Sequence, residues 1–405
     1  MSIGYLQIPG TSPLTTTLPP LSTDAPLPPA LTSPSPPSVG AKQIFAFWHS
    51  GIHSIPPYLL REITSWYRRY SPLGWTIYIF DNVPDSSLNI SRYINTTDPL
   101  LVPAAFANGT IDSASPYHHT SDLIRFPLLL RYGGIYLDVT LLQIGDLDWL
   151  WTKHISNPAS PYDFAGFTMS SPPDLQIVNF AMASTPNNPL VSRALQILLK
   201  LWEGKTNTSG MHAQSIVSHV PLMRVPPDVN IPADIRAKMP EGDPEMTDYA
   251  IQIQCLGAAE RWIDDDWNGP EYTREKCWLY SMVDRAYIPE QMAGWSGQRL
   301  FDLLSQRIAE PNSAMETESH KFARQIVEET VTGSWVWKLG NSEDMFGGPT
   351  LGLLWRRNEG SDCVEGTYAG WLRWAEVNLR QERPPEKMEV PVFEASMRGK
   401  LSDQL

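Results

Sequence analysis

Residues His119–Leu142 read HTSDLIRFPLLLRYGGIYLDVTLL. Thr120 or Ser121 can cap a helix running from about Ser121 to Tyr132, with Asp122 in its first turn, where the helix dipole favours a carboxylate. Asp122 and Arg125 lie three apart and so share one face near the helix start. Gly133 and Gly134 end the helix, the first supplying the left-handed closing residue. Ile135–Leu137 then forms a short apolar strand that carries Asp138 to its exit. A carboxylate there, with Thr140 two residues on and on the same side, suits a hard divalent cation that keeps positions open for substrate phosphates. Pro127 stands in the helix interior, where the lost backbone bond costs about 3 kcal/mol unless a kink accommodates it. Such a kink would shift Arg125 relative to Asp138.

The same alternation extends outward from this unit. QIFAF from Gln43 is a short apolar strand leading into Trp48 and His49. PPYLLREITSWYRRY has helical periodicity behind two prolines, and GWTIYIFDN is a second buried strand with a polar exit at Asp81 and Asn82. YDFAGFTM reads as another strand and NPLVSRALQILLKLWEG as another helix. Short apolar strands alternating with helices indicate an α/β sheet covered on both faces. In such sheets the ligand crevice lies beyond the carboxyl ends of the strands, where Trp48, His49, Asp81 and Asp138 all sit. Beyond about residue 205 the pattern loosens, with a helix expected within residues 302–331. A strand and a Gly-rich loop are expected in SWVWKLGNSEDMFGGPTLGLLW.

Residues 1–40 hold ten of the 37 prolines, mixed with Ser, Thr and Leu. Such a segment cannot close backbone ladders and reads as a disordered leader. The expected organisation is therefore a leader over 1–40, an α/β domain over 41–300, and a C-terminal extension over 301–405 that completes or covers the site. The chain has 405 residues and a formal net charge of -13. That charge argues against nonspecific nucleic-acid binding, which needs a basic surface to displace counterions. Three cysteines, Cys255, Cys277 and Cys363, show neither zinc spacing nor a disulfide framework. No apolar run approaches the ~20 residues that span a bilayer, and MSIGYLQIPG lacks the features of a secretory signal. The default compartment is the cytoplasm, in which the sequons at Asn89 and Asn95 would stay bare.

SDLIRFPLLLRYGGIYLDVTLL resembles the signature of the DxD-containing sugar transferases related to glycosyltransferase family 32, and more closely that of the capsular polysaccharide synthesis protein family. That family pairs an SDxxR helix with a GGxxxD strand. IFAFWHSG is similar to its opening strand, ITSWYRRYSPLGWTIYIFDN to its next helix–strand pair, NFAMASTPNNPLVSRAL to its later Asn-containing segment, and SWVWKLGN to its C-terminal Lys-Leu element. The resemblance implies a GT-A-like mixed sheet with helices on both faces and a variable α-rich C-terminal part. It implies a nucleotide-diphosphate sugar as donor, Mn2+ or Mg2+ as cofactor, and a hydroxyl-bearing acceptor such as a small metabolite. Asp138, with Thr140 in place of a second carboxylate, would hold the metal. Asp122 and Arg125 would bind sugar hydroxyls and a phosphate, and Asn179 would face the donor sugar or the acceptor. Trp48 would receive the nucleobase, and Tyr136 and Lys338 would complete the donor contacts. Related families mostly retain anomeric configuration, so the chemistry would rest on metal, positioning and donor phosphate.

Plainer readings stand beside these. Asp138 alone would be a strand-end acid paired to Arg125 or Arg131. His49, His53, His118 and His119 read as structural, and the DDDW run at Asp264–Trp267 as a solvated loop. A noncatalytic carbohydrate- or partner-binding protein on a degenerate transferase fold is the alternative to an enzyme, kept open by Thr140 and Pro127.

Overall fold

The computed structural model describes residues 6–405 apart from 15–17, 20–25, 114, 170–174, 226–228, 230, 232, 238, 310–312 and 344–347. Part of the expected Gly-rich loop, residues 344–347, therefore lies outside the described residues. Six strands make the central sheet: β1 (Gln43–Phe47), β2 (Thr76–Phe80), β3 (Gly134–Leu137), β4 (Phe164–Thr168), β5 (Ile177–Ser184) and β6 (Cys277–Ser281), in the order β6-β4-β5-β3-β1-β2. β2, β1 and β3 are parallel neighbours and so are β4 and β6, whereas β5 runs antiparallel between β3 and β4. The sheet is the mixed α/β type expected.

Burial on both faces explains why these strands read as continuous apolar runs. Ile44, Ala46, Ile77 and Ile79 face one core, and Phe45, Phe47, Tyr78 and Phe80 the other. The first core is completed by α1 (Pro57–Tyr70) and the second by α2 (Pro116–Tyr132), α3 (Pro189–Leu201) and α4 (Ile251–Glu260). Trp48, Asp81 and Asp138 each directly follow one of the parallel strands β1, β2 and β3, so the three exits open on one edge.

α2 starts five residues before the expected position. Pro116 is its first residue, preset for a helical φ, and Ser115 precedes it without a side-chain cap bond. Thr120 is inside the helix and its hydroxyl donates to the Pro116 carbonyl at 2.8 Å. Asp122 is therefore beyond the first turn, and its charge is met by side chains instead of the dipole. The helix continues through Pro127 to Tyr132. It ends on Gly133 and Gly134, whose φ values of +66° and +101° no L side chain adopts cheaply. A Cβ on Gly134 would stand 2.8 Å from the Gln43 carbonyl oxygen. Gly134→Ala is expected to lower unfolding free energy by about 2 kcal/mol or more, read by urea denaturation; an unchanged midpoint would contradict the fit.

The terminal segments are packed on this body. Thr11–Pro13 pairs antiparallel with Leu379–Gln381, and Leu31 is fully buried, so the described parts of the Pro-rich leader are held rather than free. Val336–Lys338 pairs antiparallel with Leu141–Gln143, just after Asp138. α5 (Tyr368–Asn378) shares the first core with α1. Between them lies a buried charge cluster, in which Arg373 meets Glu62 at 2.5 Å and Asp362 at 2.7 Å. Arg61 holds the same Asp362 from the other side at 2.5 Å.

Candidate active site

The edge above β1 and β3 gathers residues from five parts of the chain. Asp138 Oδ2 accepts from Lys338 Nζ at 2.7 Å, and Asp138 Oδ1 lies 3.5 Å from the Arg125 guanidinium. Burial alone would raise the Asp138 carboxyl, but Lys338 and Arg125 outweigh it and hold the carboxyl below its usual range. Arg125 therefore reaches Asp138 despite Pro127 between them. Lys338 Nζ also donates to Thr140 Oγ1 at 2.7 Å. About a fifth of each of the Asp138 and Lys338 side chains is exposed, so the pair is open to solvent at the strand exit.

Beneath this pair is a buried frame. Arg125 is 1% exposed. It meets Asp122 Oδ1 at 2.7 Å and donates to the Asn179 carbonyl at 2.6 Å and to Ser121 Oγ at 3.1 Å. Its guanidinium lies over the Tyr136 ring, 4.7 Å from the centroid, and the Tyr136 hydroxyl bonds to Ser121 Oγ at 2.8 Å. Asn179 Nδ2 donates to Asp122 Oδ1 at 3.1 Å and to Gln252 Oε1 at 2.9 Å, while Gln252 Nε2 donates to the Asp122 carbonyl at 2.6 Å. His118 Nε2 lies 3.3 Å from Asp122 Oδ2 and its ring stacks on Tyr249 at 4.3 Å.

The structure thus brings Asp122, Arg125, Tyr136, Asp138, Thr140, Asn179 and Lys338 together. They differ in exposure. Asp122 and Tyr136, at 3% and 0% exposure, are enclosed with Arg125, and their polar groups are engaged with one another. Asp138, Thr140 and Lys338, by contrast, are partly exposed. Trp48 sits apart from the network, half-buried at the neighbouring strand exit, with its indole N–H on Ser54 Oγ at 3.0 Å. The sequence marks neither Ser121 as a bridge nor Gln252 as a partner, and His118, expected to be structural, sits against Asp122. The i,i+4 spacing of His118 and Asp122 was visible once the helix is begun at Pro116, whereas Gln252 carries no local signal.

The side chains present do not fit the divalent cation expected at Asp138 and Thr140. An ion bridging those two oxygens would compete for the position Lys338 Nζ holds, with Arg125 close behind. At an effective dielectric of 20, two like unit charges about 4 Å apart repel by about 4 kcal/mol, and a doubly charged ion doubles the term. Among the described residues no group of three or more His, Cys, Asp and Glu side chains could hold a metal. The DDDW run is not such a site either, because Asp264 is paired with Arg193 through contacts of 2.7 and 3.0 Å.

One supporting contact titrates. Glu260, fully buried at the end of α4, accepts from the Ile177 amide at 3.1 Å, two residues before Asn179. Burial pushes its carboxyl up to about 7, with Arg261 and the amide pulling back. The folded state then keeps a proton that the unfolded chain loses near pH 4.5. Stability from this group is full below that pH and fades as pH rises through 7. Glu260→Gln is expected to gain on the wild type from pH 5 to 8, by at most about 1.4 kcal/mol per pH unit. Parallel pH profiles of Tm for the two proteins would contradict this.

Known proteins match this chain over most of its length. It is 32% identical over 373 residues to the O-glycosyltransferase braB of Annulohypoxylon truncatum, covering 90% of this chain and 87% of that protein. It is 29% identical to the glycosyltransferase afumC of Aspergillus fumigatus, covering 88% and 89%. It is also 29% identical to the O-glycosyltransferase PaGT of Phomopsis amygdali, covering 88% and 86%. The profile of the capsular polysaccharide synthesis protein family matches residues 32–212, which contain α2, the Asp138 turn and Asn179. Among the described residues no helix is long and apolar enough to cross a membrane. The chain therefore belongs to the capsular polysaccharide synthesis protein family, alongside relatives named as glycosyltransferases.

Proposed function

We propose that this chain is a glycosyltransferase of GT-A type that moves a sugar from a nucleoside-diphosphate donor to a hydroxyl-bearing acceptor. The observation that carries this reading is the half-open Asp138–Lys338 pair at the exit of β3, backed by the buried Arg125. Positive charge at a strand exit is where a leaving diphosphate gains most from fixed donors. Lys338 binds the diphosphate, and Asp138 and Thr140 hold the ammonium. Asp122, Ser121, Asn179 and Gln252 lock Arg125 and the Asp138 turn. Trp48, one strand over, receives the nucleobase in this reading. Asp122 and Asp138 are both engaged by cations, so neither is offered as a nucleophile, and retention then rests on front-face attack of the acceptor assisted by the departing phosphate. Two relatives are named as O-glycosyltransferases, which supports an oxygen acceptor.

The test is nucleoside-diphosphate release from a panel of UDP- and GDP-sugars. Wild type is expected to turn over at least one donor, slowly into water and faster with a hydroxyl acceptor. Release at the wild-type rate by Asp138→Ala would remove the site from the reaction. Binding without release from any donor would favour the noncatalytic reading.

A further inference from the structure

The position of Lys338 is built rather than incidental. Its strand is held in register by the Lys338–Leu141 pairing, and the Leu339 amide donates to the Thr140 carbonyl at 2.9 Å. From there Nζ reaches Asp138 Oδ2 and Thr140 Oγ1, both at 2.7 Å, while lying 5.5 Å from the centroid of the Phe180 ring, whose face favours a cation. These two oxygens are the ones that would have to ligate a metal. Charge gives the same answer. Two carboxylates, Asp122 and Asp138, already meet two cationic side chains, Arg125 and Lys338. Thr140 supplies no second carboxylate at the Asp138 turn to recruit a doubly charged ion.

We propose that the Lys338 ammonium stands in place of a divalent cation at Asp138 and Thr140, so that the site binds a nucleoside diphosphate and carries its departure without a metal ion. The proposal rests on the donor reading given above. An ammonium has three donors. Two are directed at Asp138 and Thr140, and for the third no partner is seen among the described residues, which leaves it for a phosphate oxygen. In the transfer, the bond from the sugar C1 to the diphosphate oxygen breaks with its electron pair going to the diphosphate. The acceptor oxygen forms the new bond to C1, and its proton passes to the departing phosphate. Lys338 keeps all its protons and stabilises the charge by hydrogen bonding.

The experiment has two arms on the full chain. In the first, Mn2+ is titrated into substrate-free wild type and Asp138→Asn and followed by electron paramagnetic resonance. The two proteins are expected to give the same background; a stoichiometric site lost in Asp138→Asn would overturn the proposal. In the second, UDP and GDP are titrated calorimetrically with Mn2+ or with EDTA. The nucleotide that binds is expected to keep its affinity within about two-fold in EDTA. Lys338→Met should weaken it at least ten-fold, with Lys338→Arg recovering most of the loss. Binding that requires Mn2+, or that Lys338→Met leaves unchanged, would overturn the proposal alone. Binding of neither nucleotide under either condition would overturn the proposal and the donor reading together. The EDTA arm on wild type decides the matter even if Lys338→Met does not fold.

Discussion

Asp138→Ala is expected to lower kcat/KM for the best donor by about three orders of magnitude, equivalent to about 4 kcal/mol of transition-state stabilisation. The size follows from what the carboxylate holds. Removing it takes from Lys338 its 2.7 Å ionic partner and from Arg125 its contact at 3.5 Å. The ammonium then keeps only Thr140 and is free to sample other rotamers, so the donor diphosphate meets a mobile charge instead of a fixed one. Stability should change little, because Lys338 is partly exposed and Arg125 keeps Asp122, Ser121 and the Asn179 carbonyl. The separating measurement is donor turnover beside Tm. A large loss of rate with Tm nearly unchanged is expected, while a loss of both in proportion would assign Asp138 a structural role only.

Arg373→Met is expected to be the most damaging substitution for stability, by about 3–5 kcal/mol, because it strips a buried charge cluster of one of its two cations. Arg373, Glu62, Asp362 and Glu376 are each at 0–1% exposure, and Arg373 meets all three carboxylates, at 2.5, 2.7 and 3.6 Å. Burial raises the carboxyls of both Glu62 and Glu376, and the Glu62 charge raises Glu376 further, while Arg373 pulls both back. Three carboxylates, those of Glu62, Asp362 and Glu376, face the two guanidiniums of Arg61 and Arg373. With Arg373 gone, the excess carboxylates must take up protons or be buried as unpaired anions. Their folded-state affinity for protons exceeds that of the unfolded chain, so the variant should lose more stability at pH 8 than at pH 5. Calorimetric Tm values at the two pH values test this; a loss within one degree at pH 8 would contradict it.

How much of this was legible beforehand depended on sequence distance. β1, β2 and β3 were readable because strands buried on both faces give unbroken apolar runs, and Gly133–Gly134 marked the turn between α2 and β3. The start of α2 was misplaced because Ser121 and Asp122 imitate a cap, while the stronger signal was Pro116. β5, which carries Asn179 and Phe180, hid in IVNFAMAS, an apolar run whose periodicity does not distinguish strand from helix. The contacts that define the site are farther out of reach. Lys338 and Asp138 are 200 residues apart, and Gln252 and Asp122 are 130. A resemblance could name Lys338, but only the pairing of its strand beside Asp138 shows that its ammonium lies where an ion was expected.

The most direct measurement is a crystal structure of the chain with whichever nucleoside diphosphate it releases from its donor. A phosphate oxygen within about 3 Å of Lys338 Nζ, with Asp138 and Thr140 still holding the ammonium, is the expected result. A nucleotide seated away from the β3 exit, or phosphates with no contact to Lys338, would contradict the assignment of this edge as the donor site.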